Sequence, residues 1–119
     1  MNDLVTPSKD EVLIQLKRVL ASKDFKSSAR LSSFLEYIVT KTLEGEADQI
    51  KGYTIGVEAF GKDANFDPDT DASVRVEASR LRKALTLYYH EEGISDPIVI
   101  RVPKGRYKPH FFYAKCPSL

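Results

Sequence analysis

One register dominates this sequence. Val74, Ala78, Leu81, Leu85 and Tyr88 recur at four-three-four-three spacing, which gathers apolar side chains on one face of an α-helix. Asp71 stands ahead of the stripe as a cap and Gly93 behind it as a stop, so a helix is expected over about 71–92. The period then changes. Ile98-Val99-Ile100-Arg101-Val102 is β-branched and reads as a strand. Pro103-Lys104-Gly105 fits a type I turn with glycine in the left-handed position, and 106–113 form the returning strand.

The residues upstream read as helices. Thr6-Pro7 looks like an N-cap followed by a first-turn proline, opening a helix over about 7–22 in which Val12, Leu16, Val19 and Leu20 recur at helical spacing. Ser27 or Ser28 can cap a second helix, whose stripe is Leu31, Phe34, Leu35, Ile38, Val39 and Leu43, and Gly45 ends it. Residues 53–60 make a shorter apolar segment closed by Gly61, and Gly56 inside it argues against a regular helix. Residues 62–70 are polar, contain Pro68 and form a loop. Three helices, the last long and basic, followed by a hairpin with a basic tip, give an α+β fold that is mostly α. That order is the layout of a winged helix-turn-helix. A chain of 119 residues suits one such domain over 1–119, with an ordered core of about 7–113.

The formal net charge of +1 hides an uneven distribution. Residues 1–71 carry nine Lys/Arg against thirteen Asp/Glu, a net of −4, whereas residues 72–119 carry nine against four, a net of +5. Such asymmetry points to a polyanionic partner. Cys116 is the only cysteine, which excludes an internal disulfide and a multi-cysteine zinc site. Apolar runs reach only three or four residues, too short to span a bilayer. Asn2 and Asp3 stand where a leader would begin with basic residues, so the expected location is the cytoplasm, at the nucleoid.

The candidate binding residues lie on the long helix and the hairpin. Arg75, Arg80, Arg82 and Lys83 fall off the core stripe; Ser73, Val76, Arg80, Lys83 and Leu87 share one face, flanked by Ser79 and Arg82. A helix of this kind fits the DNA major groove, where an Arg fork reads guanine O6 and N7 and other cations hold phosphates. Val76 can touch a thymine methyl. Arg101, Lys104, Arg106 and Lys108 surround the hairpin turn and suit the backbone or the minor groove. Asp67, Asp69 and Asp71 have the one-three-five spacing of a calcium loop, but Ala72 and Ala78 occupy the positions that need Gly and Glu. That segment is therefore assigned to turn formation and capping. His90 and His110 lack ligands at metal spacing, and the sequence contains no Gly-rich phosphate loop or nucleophile elbow. No catalytic residue, cofactor or metal is expected.

Val74-Arg75-Val76-Glu77-Ala78-Ser79-Arg80-Leu81-Arg82-Lys83-Ala84-Leu85, then Ile98-Val99-Ile100-Arg101-Val102 and Gly105-Arg106-Tyr107, resembles the end of the DNA-binding domain of OmpR/PhoB-type response regulators. By position the resemblance implies groove-facing roles for Ala72, Ser73, Val76, Glu77, Ser79, Arg80 and Arg82, with Arg80 as the base contact. The family's N-terminal four-stranded sheet and receiver domain have no counterpart. Over residues 11–112 the chain is more similar still to bacterial stand-alone or N-terminal winged-helix modules. That resemblance implies transcriptional regulation. The expected partner is double-stranded DNA, bound by a homodimer or by copies in tandem, with helix one as the expected contact because Leu13, Ile14 and Leu20 widen its apolar stripe. The competing readings are a winged-helix module that docks an acidic protein and an excisionase-like recombination accessory factor.

Overall fold

A computed structural model describes residues 6–114; Cys116 and the loose ends expected of the chain lie outside them. The first helix, α1 (Lys9–Leu20), starts two residues later than the expected position 7. Ser8 rather than Thr6 caps it: Ser8 Oγ accepts from the Glu11 amide at 3.1 Å, and Glu11 Oε1 accepts from the Ser8 amide at 2.9 Å. This reciprocal box satisfies two orphan donors, which a threonine followed by proline does not do here. Val12, Leu16 and Val19 enter the core as their spacing requires, and Gln15 lies fully buried in the same stripe.

A single turn, α2 (Lys23–Lys26), plants Phe25 in the core; the apolar pattern of the sequence had not separated it from its neighbours. In α3 (Ala29–Leu43), Ser28 is the cap, its Oγ accepting from the Leu31 amide at 3.2 Å. Leu31, Phe34, Leu35, Ile38 and Val39 are buried, and α3 packs against α1, α2 and the long helix described below. After a 3-10 turn at Ala47–Gln49, the short α4 (Gly52–Thr54) runs into a π-helical turn at Ile55–Ala59. The Phe66 ring lies directly on Gly56, where an added Cβ would stand 2.2 Å from Phe66 Cε2. Only glycine leaves room for that contact.

The aspartate-rich loop consists of Asx turns. Asp63, Asp67 and Asp71 each accept, through Oδ1, the amide two residues on, all at 2.9 Å. The long helix α5 (Ser73–His90) begins with Ala72 at the cap position; Asp71 instead receives the amide of Ser73. It ends at His90, two residues short of the expected Glu92. Val74, Ala78, Leu81, Leu85 and Tyr88 are all buried.

The hairpin pairs β1 (Ile98–Arg101) with β2 (His110–Tyr113) in antiparallel register, Ile98 opposite Tyr113 and Arg101 opposite His110. The expected three-residue connection with a returning strand from 106 is therefore corrected to a longer loop over 102–109. Its local turn is closed by the Arg106 amide on the Pro103 carbonyl at 3.3 Å, with Gly105 at φ 81° third in the turn. A positive φ there is the mark of type II, not type I. The loop packs rather than pairs: Val102 and Pro109 are buried, and Tyr107 lies 6.2 Å from the Phe34 ring. The outer edge of β1 is covered by one side chain. Tyr89 Oη accepts from the Ile100 amide at 3.0 Å and donates to the Ile98 carbonyl at 2.9 Å. No helix among the described residues is long and apolar enough to cross a membrane.

Candidate nucleic-acid interface

Helical geometry turns the side of α5 opposite its buried stripe towards solvent. Val76, Ser79, Arg80, Lys83 and Leu87 are all exposed there, Val76 by 56%. The cations on this helix differ in how they are held. Arg75 Nη1 donates to the Pro68 carbonyl at 2.6 Å. Arg80 Nη1 meets Glu77 Oε1 at 3.2 Å. Lys83 has no hydrogen bond or ion pair among the described residues.

Three residues matched to groove-facing positions stand elsewhere. Arg82 is half-buried, and its guanidinium serves the hairpin loop: Nε donates to the Val102 carbonyl at 3.1 Å, and Nη2 to those of Pro103 at 3.2 Å and Arg106 at 3.0 Å. A planar fork satisfying several carbonyls is a task a guanidinium performs better than an ammonium. Ser73 Oγ is buried without a partner. Glu77, expected on the reading face, is only 4% exposed. The signal for Glu77 was present in the sequence: it lies three residues after Val74 and four before Leu81, inside the core stripe.

On the hairpin, Arg101, Lys104, Arg106 and Lys108 are exposed. The Arg101 guanidinium sits 5.3 Å from the centroid of the Phe112 ring, a cation–π contact that steadies it. A cleft of about 400 Å³ runs between α5 and the hairpin, with Thr86 and His90 on one wall and Arg101 and Lys104 on the other. No acid lines it. Arg82, Thr86 and His90 also border an adjoining cleft with Lys83 and Leu87, so the two clefts form a groove that carries Lys83, Arg101 and Lys104; Arg80 and Val76 line neither.

A part-buried polar network, not foreseen from the sequence, joins α1, α5 and the residues leading into β1. Gln15 Nε2 donates to Asp96 Oδ2 at 2.8 Å and to Tyr89 Oη at 3.3 Å, while its Oε1 accepts from Arg18 Nη1 at 3.1 Å. Tyr88 Oη also bonds Asp96. Burial, then the Asp96 carboxylate, pushes the Tyr88 phenol well above its ordinary range. Burial pushes Tyr89 up to about 12. Both phenols therefore stay protonated at neutral pH and serve as donors. Their partners come from α1 and from residues 96–100, and the long-range contact of Gln15 is one that no local pattern announces.

Compared with family models, curated proteins and solved structures, the chain shows no match. On α1, Leu13 and Ile14 are exposed, whereas Leu20 packs against the core.

Proposed function

We propose that the protein is a sequence-specific, double-stranded-DNA-binding transcriptional regulator of winged helix-turn-helix architecture. In this reading α5 enters the major groove and the hairpin lies as a wing on the adjacent backbone or minor groove. One observation carries it: the exposed Lys83 of α5 and the exposed Arg101 and Lys104 of the hairpin border two adjoining clefts that share Arg82, Thr86 and His90, while Val76 and Arg80 lie exposed further along the same helix. Arg80 reads a base, Lys83, Lys104 and Arg106 hold phosphates, and Arg75 and Ser79 flank the contact. Val76 meets a thymine methyl. Two copies on paired half-sites complete the assembly, and the exposed Leu13 and Ile14 of α1 are the surface proposed for their contact.

Selection of binding sites from a random duplex pool, followed by affinities at two salt concentrations, tests this. The expected result is an enriched sequence whose affinity falls steeply with salt. Arg80→Ala should cost about 1–3 kcal/mol and relax preference at one position, while Lys104→Ala should weaken all sequences alike and lower the salt slope by about 1. Absence of duplex retention at low salt would overturn the proposal.

A further inference from the structure

Glu77 is, we propose, the residue that positions Arg80 for base reading and keeps it from acting as a general phosphate contact. The inference rests on the DNA-binding reading above and adds a division of labour within the reading helix. Glu77 is 4% exposed, and of its two carboxylate oxygens Oε1 is bonded to Arg80 Nη1 at 3.2 Å while Oε2 has no partner. A buried carboxylate with one oxygen already unserved holds its remaining donor tightly, because releasing it would leave a bare charge out of water. The Arg80 side chain is nonetheless 59% exposed. One edge of the guanidinium is thus anchored inward, while its other N–H groups remain available to solvent. Reading guanine requires two such donors, on O6 and N7.

The anchoring has two consequences. The rotamer freedom of Arg80 is lost on folding rather than on binding, which favours the one geometry that matches a base edge. The buried acid also offsets the arginine's charge, which weakens its attraction for any phosphate. Lys83, one turn on and without a partner among the described residues, keeps its full charge and supplies sequence-independent contact. Glu77 acts through Arg80 and does not touch DNA itself.

The test compares wild type, Glu77→Gln, Arg80→Ala and the double variant. Each is measured on the selected duplex, on duplexes changed at single positions and on an unrelated duplex, with thermal melting to show that each variant folds. Glu77→Gln should lower discrimination at one base pair by about tenfold or more, while binding the unrelated duplex as tightly as wild type or more so. In the Arg80→Ala background it should change nothing further, within about twofold. Unchanged discrimination overturns the proposal. So does equal weakening on every duplex in both backgrounds, the mark of a merely structural role. A second readout needs neither DNA nor a variant: the Arg80 guanidinium of the free wild-type protein should show slow rotation by NMR, and free rotation would overturn the clamp. Failure of every protein to hold duplex, with Arg80 still restricted, would instead sink the DNA reading and the specificity role with it.

Discussion

Arg82 and Lys83 are neighbours of the same charge with different work. Arg82 donates to three backbone carbonyls of the loop over 102–109, and Lys83 projects into solvent. Removing Arg82 strands those acceptors, so Arg82→Ala should lower stability by about 1–3 kcal/mol and speed amide exchange in the hairpin loop. Lys83→Ala should leave stability within about 0.5 kcal/mol of wild type while weakening duplex binding. A melting curve and an exchange profile on each variant check the contrast; equal melting temperatures would refute it. In the sequence the two residues look alike, both off the core stripe in an Arg-Leu-Arg-Lys run. What separates them is the return of a loop some twenty residues later, and helical periodicity carries no information about that. Glu77 is the opposite case, since its burial follows from spacing alone.

At the level of elements, the helices were legible where the stripe is local and strong. α3 and α5 lie where Leu31–Val39 and Val74–Tyr88 repeat, and Ser28 caps as its position implied. The boundaries that moved did so for tertiary or short-range polar reasons: Ser8 and Glu11 make a better box than Thr6-Pro7, and Arg82 draws the loop out of the ladder. The least legible joint is the seam between α5 and β1, held by Tyr89. Tyr89→Phe leaves the Ile98 carbonyl and Ile100 amide without that partner, and should cost about 1–3 kcal/mol. The phenol also carries a pH dependence. Its pKa rises from 10.0 to about 12 on folding, chiefly by burial, so the folded state holds a proton that the unfolded state releases first. That contribution is complete below pH 10 and is lost as pH rises towards about 12. Unfolding followed by far-ultraviolet circular dichroism across this window should show a shallower alkaline loss for Tyr89→Phe than for wild type. An identical slope would show that Tyr89 is not the titrating seam.

Across the whole molecule, the near-neutral sum of +1 conceals a cationic groove attached to an acidic helical body. The separation was readable from the residue counts of the two halves. That Lys83 and the hairpin cations border adjoining clefts was not, because it depends on long-range packing, including the contacts by which Gln15, Tyr88, Tyr89 and Asp96 join α1, α5 and the approach to β1. An acidic body limits indiscriminate attraction to DNA, so what affinity there is should come from the groove. The most direct measurement is the salt dependence of duplex binding for two matched double variants. Lys83→Ala with Lys104→Ala removes two exposed cations from the groove; Lys23→Ala with Lys51→Ala removes two exposed cations from the acidic half of the chain. The groove pair should weaken binding at every sequence and reduce the salt slope by about 2, while the Lys23 and Lys51 pair leaves both affinity and slope unchanged. Equal losses from the two pairs, or none from the groove pair, would contradict the placement of DNA on α5 and the hairpin.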